Sequence, residues 1–219
     1  MRPAMACDGV RVRYGGIEVL HGVRIAAAYG TFAAVVGPNG AGKTTLLDWC
    51  AGATNQASAT DGRLRLDGTD AADWPAARRA KAGLRYVPFE RNVFPGLSVL
   101  DNLRATRAHN GSGNDSALEL FPELARLADR SAGVLSGGER QLLALACALH
   151  GPGRILLVDE PTHGLAPQLV DRVLAELART AHEDGRAVLV TEPSADLVAA
   201  HADFLWPLDR GLRTAAVGA

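Results

Sequence analysis

The stretch Gly37-Pro38-Asn39-Gly40-Ala41-Gly42-Lys43-Thr44-Thr45 limits the possible folds of this chain more than any other. It fits G-x-x-x-x-G-K-[ST], a loop that works only between a strand and a helix. Both flanks are present. Phe32 to Val36 is an apolar run suited to a parallel sheet covered on both faces. Thr44 to Ala51 reads as the start of a helix. The glycines let backbone N–H groups turn inward around a phosphate. A helix N-terminus adds partial positive charge. Lys43 is placed to reach outer phosphates, and the Thr44 hydroxyl suits Mg²⁺. The chain carries 23 Lys+Arg, of which only Lys43 and Lys81 are lysines. A lysine kept here, against an arginine-rich background, fits a narrow cradle that a planar guanidinium would not enter.

Two further stretches handle charge. Ile155-Leu156-Leu157-Val158 reads as a central strand, and Asp159 and Glu160 stand at its carboxyl end. In open α/β sheets that end faces the ligand crevice. There Asp159 would hold Mg²⁺ and Glu160 would polarise an attacking water. Earlier, Leu135-Ser136-Gly137-Gly138-Glu139 precedes a strongly helical run from Arg140 to Leu149. A serine with two glycines at a helix N-terminus is a second anion site. One chain thus holds two phosphate sites far apart in sequence.

With these motifs the chain resembles the ATP-binding cassette (ABC) ATPases over nearly its whole length. Leu135–Glu139 looks like that family's signature motif, and Tyr14 like the aromatic residue that stacks on adenine. The resemblance implies head-to-tail pairing with a second cassette, as a homodimer or a heterodimer. Each ATP would then lie between one Lys loop and the other chain's signature. A closer resemblance is to the cassettes of branched-chain amino acid importers. It is carried by Tyr14-Gly15-Gly16, by Glu90 to Val99, and by Gly164-Leu165-Ala166-Pro167. The implied fold is α/β: a P-loop NTPase core with a mostly parallel sheet, an N-terminal antiparallel β-region and a helical signature lobe. Residues 1–219 would form one ABC ATPase domain, with 1–88 and 151–219 as core and β-region and 89–150 as lobe. The implied function is the ATP-hydrolysing subunit of a transporter for branched-chain amino acids or similar small solutes. It implies ATP and Mg²⁺, membrane permease subunits as partners, and a cytoplasmic, peripheral position on the inner face of the cell membrane.

The chain departs from the family at two positions. After the strand Leu84 to Val87, cassettes usually carry Gln; here Pro88 is followed by Phe89. After the strand near Ala187 to Val190, most carry a His that contacts the γ-phosphate; here Thr191-Glu192 is followed by Pro193. Neither Phe89 nor Pro193 has a polar side chain, and Pro193 lacks an N–H. Glu90 or His163 could substitute. Two readings stay open: a working ATPase that tolerates both losses, or a catalytically weak partner whose intact signature serves another cassette. The apolar Phe89, Val93, Phe94 and Leu97 either dock a membrane partner or pack beneath the lobe.

Composition sets the remaining bounds. A formal net charge of −1 predicts no nucleic-acid partner. Cys7, Cys50 and Cys147 have neither metal spacing nor an even count, so neither zinc nor a disulfide framework is expected. No run reaches the ~20 apolar residues of a membrane span. A DNA-repair or translation ATPase is disfavoured, since the 219 residues leave no room for a long coiled coil or a second cassette. Val10 to Tyr14, Val19 to Ile25 and Leu64 to Leu66 read as short strands, with a turn at Asp67-Gly68. Pro75 to Ala82 reads as a short helix, Ser98 as a helix cap, and Asn110 to Asp115 as a polar loop. Pro122 should break the helix from Ala117 to Leu127. Leu169, Val173, Leu177 and Ala181 form the core stripe of another helix.

Overall fold

A computed structural model describes residues 3–54, 59–90, 92–106, 114–213 and 217–218. In chain order the first half runs β1 Pro3–Tyr14, β2 Ile17–Ala28, β3 Thr31–Val36, α1 Lys43–Ala51, β4 Ala59–Leu66, β5 Thr69–Asp70, α2 Ala76–Lys81 and β6 Leu84–Val87. Next come α3 Val99–Thr106, α4 Asn114–Leu120, α5 Pro122–Ala125 and α6 Gly137–His150. The chain continues with β7 Ile155–Asp159, α7 Pro167–His182, β8 Ala187–Glu192, β9 Phe204–Asp209, β10 Leu212–Arg213 and β11 Val217–Gly218.

Two sheets result. One is antiparallel in the order β2-β1-β4-β5, and the other has the order β10-β9-β3-β8-β7-β6 with β11 on β9. In the second sheet β9, β3, β8, β7 and β6 are mutually parallel. Their carboxyl ends therefore share one edge, and the Lys43 loop, Phe89, Glu160 and Pro193 all leave from it. Both faces of this sheet are covered, which is why its strands read as unbroken apolar runs. Phe32, Ala34, Val36, Leu156, Val158, Val188 and Val190 join a cluster with α6, α7 and the helices after β6. The alternate residues Ala33, Val35, Ile155, Leu157, Ala187 and Leu189 join a second cluster with α1 and the antiparallel sheet. At the far end of α1, the buried Arg79 guanidinium donates to the carbonyls of Trp49 (2.5 Å), Cys50 (2.9 Å), Ala72 (2.6 Å) and Trp74 (2.9 Å). That cap fixes the helix whose other end carries Lys43.

Several sequence expectations need correction. β1 and β2 are each longer than their apolar alternation indicated, pairing from Pro3↔Ala28 to Tyr14↔Ile17. The pattern breaks at Gly9, where φ is 69° and the register shifts between Cys7 and Val10. β4 likewise starts before Leu64, because Gly62 sits against the same bulge. A Cβ at Gly62 would lie 2.8 Å from the Val10 Cα, so the glycine allows the strands to meet there. Asn114 and Asp115, read as loop, open α4; the rest of that loop, 110–113, lies outside the described residues. Arg91 also lies outside them. The cap at Ser98 forms as expected, with the Asp101 amide donating to Ser98 Oγ at 3.0 Å. The break at Pro122 falls between α4 and α5.

Candidate nucleotide site

The Lys43 loop is packed against its surroundings at Gly37 and Gly42. A Cβ on Gly37 would lie 2.0 Å from the Leu208 carbonyl oxygen. Gly40 and Gly42 have φ values of 80° and 99°, which L-residues avoid. The Gly37 amide donates to the Glu192 carbonyl at 3.2 Å, tying the loop to the end of β8. Lys43 is only 4% exposed. Its Nζ donates to the Gly37 and Pro38 carbonyls at 2.8 and 3.4 Å and lies 3.4 Å from Glu160 Oε1. Pro38, Asn39 and Ala41 complete the turn, with the Ala41 amide donating to the Pro38 carbonyl. Val19, Asn39, Gly40, Gly42, Lys43, Thr44, Thr45, Phe89, Glu160, His163 and Pro193 line one pocket of about 450 Å³. Tyr14, at the end of β1, is half-buried and shares a hydrogen bond with Thr45. Burial and the Asp48 carboxylate push its hydroxyl pKa up.

Asp159 is fully buried, and the Thr191 hydroxyl donates to its Oδ1 at 2.5 Å. Burial raises its pKa, against the pull of the Thr191 and Thr44 hydroxyls. Its Oδ2 is buried without a protein hydrogen-bond partner. An unclaimed carboxylate oxygen beside a threonine hydroxyl is the oxygen-donor chemistry that Mg²⁺ takes. Glu160 follows with φ 46°, a conformation a non-glycine residue adopts only under constraint. The constraint is visible. Its amide donates to Thr191 Oγ1 at 3.0 Å, and Gln141 from α6 donates to its carbonyl at 3.4 Å. Gln141 in turn accepts from Asn92 at 3.0 Å.

Glu192, which belongs to none of the motifs, borders the site and is coupled electrostatically to Glu160 and Lys43. It is buried at the end of β8, where it accepts from the Thr162 amide at 3.1 Å and hydroxyl at 3.0 Å. Burial, reinforced by Glu160, pushes its pKa up to about 7, against the opposing Thr162 bonds and Lys43. The signal in the sequence is a carboxylate that closes a strand whose only other polar residue is Thr191. Unfolding releases its proton once pH exceeds ~4.3. Its contribution to stability is therefore complete below that pH and is lost as pH rises towards 7. The loss amounts to roughly 3 kcal/mol. Glu192→Gln has no proton to release and can still bond Thr162. Thermal melts should show the variant level with wild type at pH 4 and several degrees more stable at pH 8. Parallel pH dependence of the two proteins would count against this account.

The signature stretch sits elsewhere. Ser136 caps α6, accepting from the Glu139 amide at 3.3 Å, while its own amide donates to Glu139 Oε2 at 2.7 Å. Those bonds hold the Glu139 carboxyl below its ordinary range. Gly138 lies against the loop after Glu160, where a Cβ would be 2.9 Å from the Gly164 carbonyl oxygen. Ser136 and Gly137 are exposed, and Leu135 is buried. Residues 136–139 line a separate cavity of about 1200 Å³ with Glu90, Asn92 and Val93. Among the described residues, none of Leu135 to Glu139 lines the Lys43 pocket. The fold thus brings Lys43, Thr44, Asp159 and Glu160 together and leaves the signature facing outward. Of the two candidate substitutes, His163, like Phe89, lines both the Lys43 pocket and the signature cavity, and Glu90 lines only the latter. Phe89, Phe94 and Leu97 are exposed, and Val93 packs on the core.

A family model described as ABC transporter matches residues 20–163. The chain belongs to the ABC transporter family. It is an ABC ATPase cassette, and the Lys43 loop follows its β3. One relative is the high-affinity branched-chain amino acid transport ATP-binding protein BraG of Pseudomonas aeruginosa. It is 35% identical over 174 residues, covering 77% of this chain and 73% of that protein. A second is the probable branched-chain amino acid transport ATP-binding protein LivF of Archaeoglobus fulgidus, 38% identical over 170 residues, covering 74% and 71%. The cassette shares its fold with a solved dimeric ATP-binding cassette in a post-hydrolysis state with ADP and Pi. The TM-score is 0.83 at 23% identity, covering 98% of both chains. Among the described residues no helix is long and apolar enough to cross a membrane.

Proposed function

We propose that this cassette drives an importer of branched-chain amino acids or similar small solutes from the inner face of the cell membrane. The observation that carries its ATPase role is the grouping of Lys43, Glu160 and the unclaimed Asp159 oxygen at one sheet edge. Gly37 to Thr45 would cradle the phosphates, and Tyr14 would stack on adenine. Thr44 and Asp159 would hold Mg²⁺, which supplies charge neutralisation for phosphoryl transfer. Glu160 would orient and polarise the attacking water. Leu135 to Glu139, exposed at Ser136 and Gly137, would close on the ATP of a second cassette, with residues 89–150 moving as the lobe that presents it. The two relatives at 35% and 38% identity support the solute class. A catalytically weak partner role is the second reading, favoured by Phe89 and Pro193 in the pocket wall.

The exposed Phe89, Phe94 and Leu97 would dock the permease. The test is reconstitution with candidate permeases in vesicles. ATP-dependent uptake of labelled leucine, together with crosslinking of a Gly96→Cys variant to a permease, is the expected result. Crosslinks only to a second cassette would overturn the docking surface. Uptake of an unrelated solute alone would overturn the substrate class.

A further inference from the structure

The two oxygens of Glu160 face different partners. Oε1 lies 3.4 Å from Lys43 Nζ, and Oε2 lies 3.8 Å from His163 Nδ1. The His163 amide donates to the Glu160 carbonyl at 3.1 Å, so a tight turn fixes the separation of the two side chains. The imidazole also meets the Phe89 ring edge to face, with centroids 4.7 Å apart and planes at 72°. Phe89, Glu160, His163 and Pro193 line the same pocket as Lys43. Pro193 offers that pocket neither a side-chain donor nor an amide hydrogen.

This arrangement has a consequence for the reaction. A carboxylate held only by Lys43 competes with phosphate for that ammonium. When phosphate takes Lys43, Glu160 loses its partner and is free to swing. A second cationic or donor group on the opposite oxygen keeps it in place. We propose that His163 is a positioning residue for Glu160, and that Phe89 holds the imidazole ring in register. The inference rests on the reading of Glu160 as the residue that polarises water. Catalytic contacts lengthen when substrate is not pressing on them, so 3.8 Å is within reach of a bond on closure. Among the described residues His163 meets the Glu160 carboxylate and the Phe89 ring, with Lys43 beyond Glu160; the rest of its side chain is exposed and lines the signature cavity. Phe89 thereby has a role that needs no polar atom.

The test uses the cassette assembled with its transporter. His163→Leu should lower kcat about tenfold or more, the scale of misplacing a catalytic group, and leave KM for ATP within about twofold. His163→Gln, which keeps a donor, should recover part of the loss. Phe89→Leu should lower kcat, and Phe89→Leu with His163→Leu should be no worse than His163→Leu alone, because both act through one contact. Unchanged kcat in His163→Leu, a change confined to KM, or losses that multiply in the double variant would overturn the proposal. A second measurement does not depend on turnover. The His163 ring resonance should move in Glu160→Gln and lose its aromatic shift in Phe89→Leu. An immobile resonance refutes the pairing. Wild type no faster than Glu160→Gln, with the resonance moving as expected, refutes the reading of Glu160 and leaves the pairing standing.

Discussion

Replacing Lys43 with alanine will remove nearly all ATP binding. The ammonium is buried, and three groups already direct it: two loop carbonyls and Glu160. A charged hydrogen bond to phosphate contributes about 1.5–3 kcal/mol, so at least tenfold in affinity should vanish. Lys43→Arg should bind almost as poorly. The wider guanidinium would need space that the loop lacks, since even a methyl at Gly37 would strike the Leu208 carbonyl. Titration of a fluorescent ATP analogue measures both variants. Binding by Lys43→Ala equal to wild type would remove the basis for placing nucleotide in this pocket.

The parts of this site that local sequence discloses are those made by one stretch of chain. Gly37 to Thr45 carries its own geometry: the strand before it, the positive-φ glycines within it and the helix after it are all contiguous. The same holds for β7, where four apolar residues deliver Asp159 and Glu160 to the sheet edge. The residues that fix those carboxylates come from elsewhere. Thr191 bonds both Asp159 and the Glu160 amide from a neighbouring strand. Gln141 reaches the Glu160 carbonyl from α6 and joins it to Asn92. No periodicity encodes such pairings, because they depend on strand order and on the direction in which a helix crosses the sheet. The antiparallel strands failed for a different reason. Gly9 and Gly62 break the alternation at the position where two strands bulge against each other, so each reads as a strand end. β10 and β11 are two residues each, too short for any pattern to register. The departures at Phe89 and Pro193 were visible in sequence, but the edge-to-face packing of Phe89 on His163 required the fold.

Ser136→Arg and Glu160→Gln will each remove almost all hydrolysis by the assembled transporter. The two changes act on opposite halves of the machine. Ser136 is exposed at the start of α6 and lies outside the Lys43 pocket; on the proposed function its phosphate partner would belong to a second cassette. A long cation there blocks closure of that pair. It also removes a cap worth about 0.5–2 kcal/mol, so Ser136→Ala, which loses the cap without adding bulk, is the control and should retain much more activity. Glu160 acts in its own chain's pocket, beside Lys43 and His163. Glutamine there keeps the shape and loses the charge that, on the proposed function, would polarise water, a change of about a hundredfold or more in rate. The comparison decides between the two readings of Phe89 and Pro193. In a working ATPase each chain's own pocket turns over, and both variants are severe. In a weak site paired with a fully equipped cassette, Ser136→Arg stays severe because it blocks the partner's ATP, and Glu160→Gln becomes mild. Steady-state hydrolysis by the reconstituted complex gives the answer. A mild Glu160→Gln beside a dead Ser136→Arg would overturn the working-site reading and assign this chain to the signature side of an unequal pair.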